Sequence, residues 1–198
     1  MIKVGVTGGI GSGKTMVCSI FKHLGIPIYN ADEEAKKLIH SNQAIKDFIR
    51  SRFGNDLFVQ DKLDRKKLAA IVFNDPVALN DLNAVVHPTV RNDFELWLKA
   101  VSKAPYIIKE AAILFESGAD KGLDKIITVT APEELRIERV IKRDRATSNE
   151  VKKRMSLQSS DEYKIKKSDF ILINDGNGLI LPQILTIHQQ LLDQSSEL

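Results

Sequence analysis

Apolar residues fall into two rhythms along this chain, short unbroken runs and a helical repeat, and the two alternate. Ile2-Lys3-Val4-Gly5-Val6 is a short, nearly continuous apolar run that predicts a buried strand. Val17, Ile20, Phe21 and Leu24 then recur at i, i+3, i+4 and i+7, one face of a helix, and Gly25 supplies a stop. Gly25-Ile26-Pro27-Ile28-Tyr29-Asn30 predicts a second strand. Ala31-Asp32 leads into a helix with Ala35, Leu38 and Ile39 on one side. From there to about residue 104 the helical repeat dominates. It runs from Ala44 to Phe53, and from a capping Asp64 to Phe73. After the break at Asn74-Asp75-Pro76 it resumes from Val77 to Val86. A further helix is expected to open at His87-Pro88 and run through Val90, Phe94, Trp97 and Leu98. No strand pattern interrupts this stretch, which predicts an inserted helical subdomain. Strand patterns return at Tyr106-Ile107-Ile108, Ile126-Ile127-Thr128-Val129 and Phe170-Ile171-Leu172-Ile173. A helix is expected from about Pro132 past Ile141, and a last amphipathic one from Leu181 to Leu192, with the residues from Gln194 frayed. Strands alternating with helices predict an α/β fold with a parallel sheet flanked by helices.

The first strand and first helix are joined by Gly8-Gly9-Ile10-Gly11-Ser12-Gly13-Lys14-Thr15, a complete G-x-x-x-x-G-K-[ST] phosphate-binding loop. Its position at a helix N-terminus is the one the chemistry needs, because unpaired backbone N–H groups and the helix dipole face an anion there. The glycines allow close approach of backbone to phosphate. Lys14 brings a compact charge to the β- and γ-phosphates, and the Thr15 hydroxyl is placed to ligate Mg²⁺. Gly9, Ile10, Gly11, Ser12, Gly13, Lys14 and Thr15 are therefore the expected ATP-binding residues. A dinucleotide-binding G-x-G-x-x-G does not fit, because Lys14 or Met16 stands where its third glycine would be.

The 198 residues suit one α/β core with an insertion, and 43% hydrophobic residues can fill it. A net charge of +3 permits an anionic ligand without pointing to nucleic acid. The single cysteine, Cys18, excludes an internal disulfide and fits a reducing cytosol, and no leader peptide is expected before the first strand. No apolar run approaches the ~18 residues of a membrane span. None of the four histidines is spaced as a zinc site requires.

A second constellation lies late in the chain. Arg136, Arg139, Lys142, Arg143, Arg145, Lys152, Lys153 and Arg154 outnumber Glu138, Asp144 and Glu150, and Ala146-Thr147-Ser148-Asn149 splits the segment into two helices. Beside a phosphate loop this has the layout of a lid that closes over ATP. Arg139 and Arg143, at i and i+4, share a face, and at least one of them is expected on the phosphates. On the acceptor side, Asp32 follows the second strand at the carboxyl end of the sheet, where ligands bind in open α/β folds. A helix cap is its alternative role. Glu110 and Glu116 flank the end of the third strand, and Glu110 is placed to help hold Mg²⁺. His87 reads most simply as a helix-start residue.

Together these residues resemble the dephospho-coenzyme A kinase family. The likeness rests on Thr7 to Thr15, Ala31-Asp32, His87-Pro88, Ile113-Leu114-Phe115-Glu116, Arg139 with Arg143-Asp144, Arg154 with Gln158, and Asp169-Phe170-Ile171 followed by Asn174. The resemblance implies a P-loop NTPase fold related to nucleoside monophosphate kinases, with a five-stranded parallel sheet. The core would comprise residues 1–31, 105–138 and 159–198, with an acceptor-binding helical insertion over 32–104 and a lid over 139–158. It implies Mg-ATP-dependent phosphorylation of the ribose 3′-hydroxyl of 3′-dephospho-CoA. By the same resemblance Asp32, Lys14 and Arg139 are catalytic, Asp32 as base or orienting group. Thr7, Asp32, His87 and Glu116 lie at the acceptor, and Arg143 and Asn174 at ATP, Asn174 near the adenine. Thr15 and Glu110 attend the metal. The family commonly has Asp where this chain has Asn30, and Pro where it has Ala112. A cytoplasmic enzyme, monomeric or a weak homo-oligomer, with neither nucleic acid nor membrane as partner, is expected.

A kinase of another small hydroxyl or nucleoside monophosphate acceptor is the alternative. A GTP-binding switch lacks its N-K-x-D motif, and the only D-x-x-G, Asp175 to Gly178, follows the last strand. A nucleic-acid module would interleave aromatics with the basic cluster, and this cluster has none.

Overall fold

The computed structural model describes residues 1–72 and 74–197. These form two compact units, one of Met1–Asn30 with the chain from Lys99 onward, the other of Ala31–Leu98.

The first unit is built on a five-stranded sheet. Its strands are β1 (Ile2–Thr7), β2 (Ile28–Asn30), β5 (Tyr106–Glu110), β6 (Lys125–Thr130) and β7 (Phe170–Ile173), in the spatial order β2-β5-β1-β6-β7, all parallel. Side chains alternate across a strand, so Ile2, Val4 and Val6 share one face. There they join Val17, Cys18 and Phe21 of α1 (Lys14–His23) and Ile184, Ile187 and Leu191 of α9 (Ile180–Ser196) in one core. Gly5 points the other way. A Cβ there would lie 2.7 Å from Leu123 and 2.9 Å from Leu114, so the β1 backbone lets these leucines press directly against the sheet. The register sets Val6 opposite Glu110 and Asn30 opposite Glu110, which brings three strand ends to one edge.

Helix ends follow local chemistry. Gly25, at φ 86°, ends α1 in a Schellman arrangement, with Ile26 N–H donating to the Phe21 carbonyl and Gly25 N–H to that of Lys22. Thr147 and Glu150 form a reciprocal capping box at the start of α7 (Ser148–Met155). This separates α7 from α6 (Glu133–Asp144), which ends at Arg145 with φ 55°. A short α8 (Asp161–Lys166), capped by Ser160, was not anticipated from the sequence. The chain end differs too. α9 continues to Ser196 instead of fraying at Gln194, because Leu191 is anchored in the core and the hydroxyls of Ser195 and Ser196 donate back to the Leu192 carbonyl.

The second unit holds α2 (Ala31–Ser41), α3 (Gln43–Phe53), α4 (Arg65–Val72) and α5 (Pro76–Ala100). Asn42 caps α3, and the Asp64 carboxylate accepts from the N–H groups of Lys66 and Lys67 at the start of α4. The expected end of that helix at Phe73 lies outside the described residues. Two expectations are corrected here. The unit is not purely helical, since β3 (Phe58–Val59) and β4 (Lys62–Leu63) pair as an antiparallel hairpin. Two-residue strands carry too few positions to show a period of two. The turn is made by Gln60 and Asp61, both at positive φ, in place of the usual Asn-Gly. Hydrogen bonds from Lys46 and Arg50 hold the Asp61 carboxyl below its usual range and fix the turn.

The second correction concerns His87 and Pro88. They do not start a helix but lie inside α5, which is continuous. Its buried row Ala78, Leu82, Val86, Val90, Phe94 and Leu98 keeps a spacing of four straight through the proline, so packing on both sides outweighs the missing N–H. Burial, with Arg91 one turn on, pushes the His87 pKa down, so the ring is neutral at pH 7. Pro88→Ala restores the donor for the carbonyl four residues back and should stabilise the protein against urea, by up to ~3 kcal/mol. Lower stability would mean that α5 depends on the geometry proline imposes.

Candidate active site

The loop between β1 and α1 is shaped by crowding. Gly8, Gly11 and Gly13 all have positive φ, at 148°, 82° and 100°. A side chain at any of them would also collide with a neighbour. A Cβ at Gly8 would strike the Val129 carbonyl oxygen, at Gly9 the Arg136 guanidinium, at Gly11 the Arg136 backbone, and at Gly13 the Asn174 amide. Gly13 opens α1 with no side-chain cap, so the N–H groups of the first turn point outward for a ligand. Lys14 is largely buried and folds back over the loop. Its Nζ donates to the Gly8 carbonyl at 2.9 Å and approaches that of Gly9 at 3.4 Å. The hydroxyls of Thr7 and Ser12 are buried without a hydrogen-bond partner among the described residues. Orphaned buried hydroxyls beside an anion loop are groups in want of a ligand.

An acid stands beneath the helix start. Glu110, 5% exposed at the end of β5, accepts from the Thr15 hydroxyl at 3.2 Å and from the Asn30 amide at 2.9 Å. Burial first, and then the Glu110 charge, push the Cys18 thiol up, so it stays protonated and unreactive. The residue where the family commonly has Asp is thus an amide that donates to the acid beside it.

The basic helix α6 meets the loop unevenly. Arg136, 7% exposed, lies against Gly9 and pairs with Asp161 at 3.0 Å, while its Nε has no partner among the described residues. Arg139 donates to the Asn174 carbonyl at 3.1 Å, and the Asn174 side chain donates to the Ser12 carbonyl at 2.8 Å. Arg139 is therefore one residue removed from the phosphate loop. Arg143 is exposed and forms a fork with Asp144 at 2.7 and 3.1 Å, and Arg154 shares the same carboxylate. Hydrogen bonds from Arg143, reinforced by the Arg154 charge, hold the Asp144 carboxyl below its usual range.

Behind the loop lies a cluster in which sequence reasoning gave a role to Glu116 alone, at the acceptor. Gln158 accepts from the Ile10 N–H at 2.8 Å and donates to the Ala112 carbonyl at 3.0 Å. Glu116 accepts from the Ser159 N–H at 2.6 Å and pairs at 3.5 Å with Lys164, which is completely buried. Burial opposes the Glu116 charge, but the Ser159 N–H and the Lys164 ammonium outweigh it and lower its pKa. Burial lowers that of Lys164 despite Glu116. A cleft of ≈ 410 Å³ opens here, lined by Gly9, Arg136, Lys152, Gln158, Ser159 and Asp161 among others. Arg136 lay within the basic run seen in the sequence. Lys164 and Asp161 gave no signal, since a lysine on a short helix reads as surface.

Gly9 to Thr15, Glu110, Arg139 and Asn174 are thus joined within the first unit, and Thr7 ends the strand that leads into the loop. Arg143 and Glu116 have other partners. Asp32, in the first turn of α2, and His87 belong to the second unit.

A parallel sheet of this order with this loop and an acid at the neighbouring strand end defines a phosphate-loop kinase. Shikimate kinase of Acinetobacter baumannii shares the fold alone, at 15% identity and TM-score 0.56 over 98% of this chain and 94% of that one. The dephospho-CoA kinase family model matches residues 2–179, and the chain belongs to that family. It is 38% identical to the dephospho-CoA kinase of Bacteroides fragilis over 94% of this chain and 91% of that one. To that of Chlorobaculum tepidum it is 39% identical, over 96% and 94%. The Campylobacter jejuni dephospho-CoA kinase structure superposes with TM-score 0.72 at 30% identity, covering 97% and 98%. The reaction is the last step of coenzyme A synthesis, phosphorylation of 3′-dephospho-CoA by ATP.

The Lys164–Glu116 pair carries a prediction. Lys164→Met removes the buried ammonium and leaves the partly exposed Glu116 carboxylate without its cation, which should lower stability by about 1–3 kcal/mol, while Lys164→Met with Glu116→Gln regains most of it. Urea midpoints measure both. A single variant as stable as the parent would show the pair to be energetically idle.

Proposed function

We propose that the first unit binds ATP through the phosphate loop and that Asp32 activates the acceptor for in-line transfer. In this reading the backbone of Gly9, Gly11 and Gly13 presents donors to the β- and γ-phosphates, while Ile10 and Ser12, whose N–H groups are taken by the Gln158 side chain and the Gly9 carbonyl, shape the loop around them. Lys14 exchanges the carbonyls of Gly8 and Gly9 for phosphate oxygens. The observation that carries the reading is Lys14 folded over an uncapped helix start whose glycines admit no side chain.

Thr15 and Glu110 are the residues that would hold Mg²⁺. A hydroxyl and a carboxylate 3.2 Å apart are the hard oxygen donors this ion takes. Among the described residues no cluster of three or more His, Cys, Asp or Glu could form an all-protein cage. That fits an ion that keeps waters and substrate phosphate as its other ligands. When bound it would supply charge neutralisation for the phosphates. Asn30 keeps the Glu110 carboxylate aimed at Thr15.

Asp32 orients the ribose 3′-hydroxyl and takes its proton as the new O–P bond forms. The bond from the γ-phosphorus to the β–γ bridging oxygen breaks, and ADP leaves. Arg139 neutralises charge developing on the transferring group, with Arg143 contributing from the lid over 139–158, and Asn174 lies toward the adenine. Thr7 and His87 attend the acceptor, and the unit from residue 31 to about 100 binds it. Glu116 we assign to holding Ser159 and Lys164 rather than to the acceptor. Among the described residues no helix is long and apolar enough to cross a membrane. We place the reaction in the cytoplasm, as a step of coenzyme A synthesis.

ADP release with Mg-ATP and 3′-dephospho-CoA, against AMP, CMP and pantetheine, tests the assignment. Turnover with a monophosphate alone would sink it. Asp32→Asn should lower kcat by roughly 10²–10⁴-fold with ADP affinity unchanged, and a near-normal kcat would reduce Asp32 to a residue of the α2 first turn. Arg139→Ala should reduce kcat more than ATP affinity. An unchanged turnover number would remove it from the transition state.

A further inference from the structure

The phosphate loop has to keep its backbone N–H groups convergent when no phosphate is there to organise them. Its glycines make it permissive, and permissive backbone loses its shape unless something outside holds it. Gly8, Gly9, Gly11 and Gly13 are confined by steric contact with β6, α6 and Asn174. Ile10 stands in the middle of this run, and a directional bond fixes its amide instead. The Gln158 carbonyl oxygen accepts from Ile10 N–H at 2.8 Å.

The other end of the same side chain is also committed. Gln158 Nε2 donates to the Ala112 carbonyl at 3.0 Å, two residues beyond the Glu110 carboxylate. One carboxamide therefore spans the loop that faces ATP and the segment that carries the acid. Its backbone is anchored as well. The next residue, Ser159, donates to Glu116 at 2.6 Å, and Asp161 pairs with Arg136, which itself lies against Gly9. Gln158 lies three residues beyond the end of α7, the second basic helix, so it also stands where the chain leaves that helix for the core.

We propose that Gln158 is the positioning residue of the phosphate loop, fixing the Ile10 amide relative to the Glu110 segment through its carboxamide. An amide suits the task because it offers an acceptor to Ile10 and a donor to Ala112 without charge. Glutamate, of the same shape, would keep the acceptor but lose the donor. It would also set a negative charge beside a loop built for a triphosphate. Leucine would remove both bonds at similar volume.

The proposal rests on the kinase reading but is tested without turnover. ADP binding to the full chain is measured by calorimetry for the parent, Gln158→Leu and Gln158→Glu, each checked for folding by circular dichroism and thermal midpoint. Gln158→Leu should weaken ADP about tenfold, the size of one or two neutral hydrogen bonds. Gln158→Glu should weaken it further, with a deficit that shrinks as salt is raised, since charge repulsion is screened. Dephospho-CoA affinity should hold in both. A folded Gln158→Leu that binds ADP within twofold of the parent overturns the proposal. So does a Gln158→Glu indistinguishable from Gln158→Leu at low salt, because a merely structural side chain would not register the charge. Failure of the kinase reading looks different: the parent would bind ADP yet not phosphorylate 3′-dephospho-CoA.

Discussion

The first unit is organised by how closely its neighbours press on the phosphate loop. β6 supplies the Val129 carbonyl, α6 the Arg136 guanidinium and backbone, and the segment after β7 the Asn174 amide. Each sits where a single methyl group would be. The loop can be this tight only because glycine tolerates both the positive φ and the contact. The same tightness leaves α1 without a side-chain cap at Gly13. Sheet order, the placement of α6 and the path after β7 all converge on that loop.

Charge is distributed by role around it. Lys14 folds back onto the carbonyl oxygens of Gly8 and Gly9. Glu110 is buried and accepts from two neutral donors, Thr15 and Asn30. By contrast, the buried cations Arg136 and Lys164 are turned on the partly exposed acids Asp161 and Glu116. Pairs with a buried cation add little net stability and much geometric definition, because losing the acid leaves that cation uncompensated. They define the segment from Gln158 to Lys164, and that segment in turn bears on the loop at Ile10.

Much of this was legible in the chain. The apolar repeat of α1 and its glycine stop appear in the structure as a buried face and a Schellman turn, since both depend on residues within one helical turn of each other. The five sheet strands were visible for the same reason, although their order was not. The insertion was harder to read. Its hairpin has strands too short for a pattern, and its turn uses Gln60 and Asp61 held by lysine and arginine from α3. At Pro88 a local rule gave way to packing. A proline normally ends a helix, and here the buried row of α5 carries it through.

The sequence by itself determined the loop, its nucleotide chemistry and the family, because those reside in residue types at short, set spacings. Tertiary structure alone decided which charged residues serve the loop and which serve each other. Arg139 and Arg143 look equivalent at i and i+4, yet one reaches Asn174 beside the loop and the other is taken by Asp144. Asn30 reads as a departure from an acidic pattern, and only the sheet register shows the consequence. An aspartate there would face Glu110 across 2.9 Å, whereas the amide donates to it. Gln158 and Ile10 are 148 residues apart, and no local pattern encodes a hydrogen bond between two segments that meet only after the sheet has assembled.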